Sequence, residues 1–175
     1  MDTGTVRVWD RVVRLLHWGL VLSLAVSWLG TFAIAGVHQP AGYVALALAM
    51  LRVLWGVAGS THARFAQFVR GPRATWRYLT AVLQRRERRY VGHNPLGAWM
   101  ILALLTSVGA LALTGWLYTT DRFWGDEDVE WLHLGLAWAL LVLVCLHVAG
   151  VLHTGRRQHE SLLLAMFSGR KRRRD

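Results

Sequence analysis

Four stretches of this chain are each apolar over the length a helix needs to cross a lipid bilayer, about 20 residues. They run from about Leu15 to Ala35, Pro40 to Gly59, Pro95 to Tyr118 and Trp131 to His153. At these lengths only a helix satisfies its own backbone in lipid, and the period-two alternation of a barrel strand is absent. The second span opens on a proline, which a first helical turn tolerates. The third follows His93-Asn94-Pro95, with Asn as cap and Pro at the first helical position. The expected fold is therefore all-α, an integral membrane four-helix bundle forming a single domain over residues 1–175. Composition agrees: 54% of residues are hydrophobic and 17% charged, against roughly 25% charged in a soluble domain.

The first span has one competing reading. Arg7 to Arg14 resembles the positive start of a secretory signal, and Ala33-Ile34-Ala35 resembles a cleavage site. Its apolar part, however, exceeds the 7–15 residues or so of a signal core, and it carries His17. It reads as a retained span.

Charge sets the orientation. Three arginines precede the first span, eight lie between Ser60 and Leu96, and seven basic residues follow His153. The connection between spans one and two has no charged residue. The connection from Thr119 to Glu130 carries Asp121, Asp126, Glu127, Asp128 and Glu130 against Arg122 alone. Lysine and arginine mark the inner side of a membrane, so both termini and the central connection are expected to be cytoplasmic and the acidic loop external. The tail Arg170-Lys171-Arg172-Arg173-Arg174 then suits anionic headgroups rather than nucleic acid. The segment Pro72 to Leu83 interleaves arginines with Trp76, Tyr78, Leu79, Val82 and Leu83, which predicts a helix lying along the inner surface.

Chemistry within the spans falls to histidine. The single cysteine, Cys145, excludes a disulfide scaffold, a cysteine-rich zinc site, an iron–sulfur cluster and covalent CxxCH haem attachment. Ionisable side chains inside a membrane are costly and default to function. His133 and His147 are 14 residues apart on the fourth span; at about 100° per residue they project from nearly one face, and at 1.5 Å per residue they lie about 21 Å apart. His17 lies near the depth of His147, and His38 near that of His133. Two pairs follow, His17 with His147 and His38 with His133. A lone histidine near a helix end ordinarily bonds interfacial water, but four at two matched depths suit the axial ligands of two stacked haems. Zinc is the rival metal, yet no cysteine or carboxylate lies near these positions. Arg52, the one cation well inside the second span, either pairs with a propionate of the inner haem or snorkels to headgroups. Glycines on all four spans serve either close helix packing or haem clearance. His62, His93, His153 and His159 read as surface or interfacial.

The chain resembles the bacterial cytochrome b561 family, related to the b-type subunits of nickel–iron hydrogenases. The likeness rests on Val8-Trp9-Asp10-Arg11 leading to Arg14-Leu15-Leu16-His17-Trp18, on His38-x-x-x-Gly42-Tyr43, and on Arg52-Val53-Leu54-Trp55-Gly56. Ala63-Arg64-Phe65, Gly92-His93-Asn94-Pro95-x-Gly97 and Leu113-Thr114-Gly115-Trp116 extend it. His133 followed by His147-Val148-Ala149-Gly150-Val151, and Ala165-Met166-x-x-Gly169-Arg170-Lys171-Arg172, complete it. The resemblance implies two non-covalent b haems held by first-, second- and fourth-span histidines, here His17, His38, His133 and His147. It also implies a multi-pass protein of the bacterial inner (cytoplasmic) membrane. Pro40, two residues after His38, places that histidine ahead of the first helical turn and the outer haem partly in the open.

The expected function is electron transfer across or within the membrane, between quinone or quinol and a redox partner such as a periplasmic cytochrome c. The alternative is a haem-bearing anchor subunit of a larger hydrogenase- or dehydrogenase-type oxidoreductase. A haem-free membrane protein with interfacial histidines is a third reading. Membrane lipid is a partner in every case, and a homodimer stays open.

Overall fold

Apolar helices long enough to span a bilayer bury little against one another and turn most of their side chains outward, and this chain does so. A computed structural model describes residues 4–34 and 36–172. Ala35, and Arg173 and Arg174 of the basic tail, lie outside the described residues. In chain order the elements are β1 (Thr5–Arg7), α1 (Arg11–Ala33), α2 (His38–Ala58), α3 (Phe65–Phe68), α4 (Pro72–Leu83), α5 (Pro95–Tyr118), α6 (Glu127–Gln158), α7 (Leu162–Ser168) and β2 (Arg170–Arg172). Helices α1, α2, α5 and α6 are each long and apolar enough to cross a membrane. Leu22, Leu29, Leu54 and Leu146 are among the large apolar side chains they expose, a surface that lipid covers.

The span α5 and the short helix α4 match the sequence expectation residue for residue; the other spans differ at their ends. α1 starts at Arg11 rather than Leu15, and α6 reaches beyond its predicted 131–153 in both directions. α2 starts at His38, so His38 opens the first helical turn instead of preceding it. Pro40 still fits, because the first turn leaves its N–H groups without helical partners. α6 carries Glu127, Asp128 and Glu130 in its first turn and Arg156 and Arg157 in its last, each sign where the helix dipole favours it. Asp126 caps it, its Oδ1 accepting from the Val129 N–H at 3.0 Å.

The chain divides into two compact units, and all four long helices contribute to both. One unit comprises Leu15–Val53 and Ala103–Cys145. Its core is small and aliphatic: Ala45 and Ala49 of α2, Val108 of α5 and Leu140 of α6, packed by Leu20, Leu24, Leu104, Leu105 and Leu111. Alanines bring the helix backbones close where no hydrophobic drive separates protein from lipid. Trp28 and Trp138 meet edge to face, with centroids 5.4 Å apart.

The other unit comprises the described parts of Met1–Arg14, Leu54–Leu102 and Leu146–Asp175. Here the structure adds a feature absent from the all-α expectation. β1 and β2 form an antiparallel ribbon, with Thr5 opposite Arg172, Val6 opposite Lys171 and Arg7 opposite Arg170. The Val8 and Trp9 N–H groups continue it by donating to the Gly169 carbonyl. Val8, Trp9, Val13, Ala63 and Ala165 form the core beneath. Two ion pairs at 2.9 Å, Arg89–Glu160 and Arg157–Glu87, tie the central connection to the C-terminal segment.

Candidate functional site

The unit built from Leu15–Val53 and Ala103–Cys145 brings one of the two expected histidine pairs together. His38 opens α2 alongside the last turns of α1. There the Ser27 hydroxyl donates to the His38 carbonyl at 3.1 Å, and the Thr31 hydroxyl donates to the Ser27 carbonyl at 3.2 Å. His38 Nδ1 lies 2.9 Å from that Ser27 carbonyl oxygen, 3.0 Å from Thr31 Oγ1 and 3.2 Å from Ser27 Oγ. His133 projects from the second turn of α6 towards α5, with Nδ1 2.8 Å from Thr114 Oγ1. The neighbouring residue leaves little room to spare: a Cβ at Gly115 would stand 3.1 Å from His133 Cε1, a tight contact.

The His38 and His133 rings approach edge on, with centroids 6.0 Å apart and planes at 75°. Two imidazoles sharing one metal through bonds of about 2 Å, plus a little over 1 Å from nitrogen to centroid in each ring, stand about 6 Å apart. The spacing therefore fits a metal between the rings. Among the described residues no group of three or more His, Cys, Asp or Glu is placed to hold a metal ion. A two-histidine site suits an iron that arrives with four in-plane nitrogens of its own, as in haem.

The remaining candidates fall as follows. His17 is half-buried on α1 and meets the Trp18 ring edge to face, centroids 5.2 Å apart. His147 is half-buried on α6. Arg52 is buried on α2. His93, expected at the surface or the interface, is half-buried and packed against Trp9 and Phe68, with centroids 4.4 and 4.6 Å away. His153 and His159 are exposed, as expected.

Outside the spans, the charged groups are tuned by their contacts. Asp10 precedes α1; burial raises its pKa, but hydrogen bonds from the Ser60 hydroxyl, the Val13 N–H and the Trp55 indole outweigh that and hold it below the usual value. Lys171 of β2 sits over the Trp9 ring, and burial pushes its ammonium down to about 8 despite Glu160 nearby. Sequence reasoning passed over Ser27, Thr31 and Thr114, because it weighed ionisable groups within the spans and not hydroxyls. Thr114 was visible only as a letter in Leu113-Thr114-Gly115-Trp116.

Four helices long and apolar enough to cross a membrane, two of them bringing a pair of histidine rings within 6.0 Å, are features of one class of protein, the membrane cytochromes of b type. Within that class the chain belongs to the prokaryotic cytochrome b561 family, whose profile it matches over residues 8–169. It is 27% identical to a probable Ni/Fe-hydrogenase B-type cytochrome subunit of Bradyrhizobium diazoefficiens, over 98% of this chain and 87% of that protein. Proteins described in the same words are similar in Azotobacter vinelandii (30% identity, 94% and 87% covered) and Cupriavidus necator (29%, 93% and 85%). No solved structure gives a significant match. The chain is a haem-bearing, multi-pass membrane protein of electron transfer, and its haem is of b type.

Proposed function

We propose that the chain holds two b haems, one toward each side of the bacterial inner membrane, and carries electrons between the quinone pool and a redox partner at the outer face. The observation that carries this reading is the His38–His133 pair, whose 6.0 Å separation suits two axial ligands on one iron. His17 and His147 are the proposed ligands of the inner haem, on the strength of their matched depths and the family resemblance. Arg52 is the proposed partner of an inner propionate. Bound haem supplies a one-electron iron couple, and two at different depths divide the crossing into short hops. The protein's share is to ligate, to keep both axial positions closed to oxygen, and to exclude water with apolar helices. The termini lie on the cytoplasmic side in this reading, and the acidic segment Asp126–Glu127–Asp128 offers a basic partner an external surface.

The test is a haem count on purified protein. Wild type should give two pyridine haemochromes per chain. His38→Ala and His133→Ala should each remove the outer haem, and His17→Ala and His147→Ala the inner one. A count of one in the wild type, or full retention in His133→Ala, would overturn the proposal.

The relatives' names favour a second reading, an anchor subunit for a larger oxidoreductase. The alignment to the Bradyrhizobium protein runs over 220 positions, more than the 175 residues present here, so that relative carries segments this chain lacks. A stoichiometric partner retained through mild purification supports the anchor reading; a chain that purifies alone and is reduced by quinol in vesicles refutes it.

A further inference from the structure

An imidazole can bind iron only through a nitrogen without a proton, so the proton of a ligand histidine must sit on the other nitrogen and needs an acceptor there. At His38 the acceptor is unambiguous. The Ser27 carbonyl oxygen, 2.9 Å from Nδ1, can only accept, so Nδ1 carries the proton and Nε2 the lone pair. The hydroxyls around it agree, since Ser27 and Thr31 each direct their own proton to a backbone carbonyl.

His133 reaches the same state by a different device. Its Nδ1 meets the Thr114 hydroxyl, a group that can donate or accept. That hydroxyl also lies 3.0 Å from the Ala110 carbonyl and 3.1 Å from the Leu111 carbonyl. Its single proton is drawn to these carbonyls of its own helix, the usual bond of a threonine inside a span. The hydroxyl oxygen is then left to accept from Nδ1–H. Thr114 is buried, so water does not compete for the bond.

We infer that Thr114 is a positioning residue that fixes the tautomer of His133, presents its Nε2 to iron, and sets the potential of the outer haem from α5. The inference rests on the reading of His38 and His133 as axial ligands. A hydrogen bond from Nδ1–H makes an imidazole more basic, and a more basic axial ligand favours the oxidised iron. The two sides of the site differ: His38 Nδ1 is held by the Ser27 carbonyl, whereas His133 Nδ1 meets the Thr114 hydroxyl, which substitution can remove, with the Leu111 carbonyl as a second hydrogen-bond partner of the ring. Gly115, beside Thr114, supplies the clearance that lets the ring close on that hydroxyl.

The test is potentiometric and spectroscopic, on full-length protein in detergent or nanodiscs. Thr114→Val keeps the shape and removes the hydroxyl acceptor, leaving the Leu111 carbonyl. It should retain two haems, move the outer haem to a more positive midpoint potential and alter its low-spin resonance signature, leaving the inner haem as it was. Thr114→Ser should restore the wild-type values. If Thr114→Val instead loses the outer haem, recovery in Thr114→Ser supports the inference, and continued loss there counts against it. Full haem retention with an unchanged potential and signature in Thr114→Val refutes it. The underlying reading fails separately: His133→Ala with undiminished haem would sink the ligand assignment itself, whereas loss of one haem in His133→Ala beside an inert Thr114→Val sinks only the role of the hydroxyl.

Discussion

Asp10 shows how one side chain can join three segments. Its Oδ1 accepts from the Val13 N–H at 2.8 Å, capping α1, while its Oδ2 accepts from the Trp55 indole at 3.1 Å and from the Ser60 hydroxyl. Removing the carboxylate costs the cap, about 0.5–2 kcal/mol, and strands two donors at the end of α2. Asp10→Ala should therefore lower the unfolding midpoint in detergent, read by far-UV circular dichroism, by more than Asp10→Asn, which keeps an acceptor. The pH dependence has a definite sign. The folded pKa lies below the ordinary 3.8, so the stabilisation is complete above that value and is lost as pH falls through the lower folded one. An Asp10→Ala midpoint equal to wild type at neutral pH would refute this. In the sequence Asp10 was legible only as part of Val8-Trp9-Asp10-Arg11, because its partners Trp55 and Ser60 are 45 and 50 residues away. The histidines stand out more readily as candidates, because charge-capable groups within apolar runs are conspicuous by cost alone, whereas the hydroxyls bonded to them are not.

Helix ends show the same limit at the next scale. Apolar runs located all four spans, and the Asn94-Pro95 signal fixed the start of α5, where Asn94 Oδ1 accepts from the Gly97 N–H at 2.7 Å. Hydropathy, however, reports the thickness of lipid and not the length of a helix. The charged turns of α6 at 127–130 and 154–158 and the first turn of α1 lie beyond the apolar run, so the sequence reading stopped short of them. The ribbon was invisible for another reason, since strands of three residues carry too little alternation to register. What makes it possible is Gly169, which ends α7 at φ 78°. A Cβ there would stand 2.6 Å from the Trp9 carbonyl oxygen, and a non-glycine residue in this conformation costs about 1–2 kcal/mol before any clash. Gly169→Ala should loosen β2 from β1 and speed tryptic cleavage at Arg170–Arg172 severalfold. Equal digestion rates in variant and wild type would show that the ribbon does not depend on this turn.

For the molecule as a whole, the pairing of β1 with β2 constrains topology independently of charge. Strands that exchange backbone hydrogen bonds lie on one side of a membrane, so the chain must enter and leave by the same face. Four crossings satisfy that and three would not. Charge then chooses the face: the basic residues gather at the termini and the central connection, and the acidic ones at 119–130. In the proposed orientation arginine and lysine stay on the inner side and the acidic first turn of α6 lies outside, its carboxylates complementing the helix dipole. A fluorescent protein fused after Asp175 should therefore mature, and alkaline phosphatase fused there should stay inactive. The same phosphatase inserted at Gly125, where φ is 74° and a Cβ would meet nothing within 4 Å, should be active. The opposite pattern at both sites would invert the topology and move the His38–His133 pair to the cytoplasmic face, with quinone access and partner docking exchanged. Activity at Gly125 and at the terminus together would require an odd number of crossings, which the ribbon forbids, and would set the strand pairing itself aside.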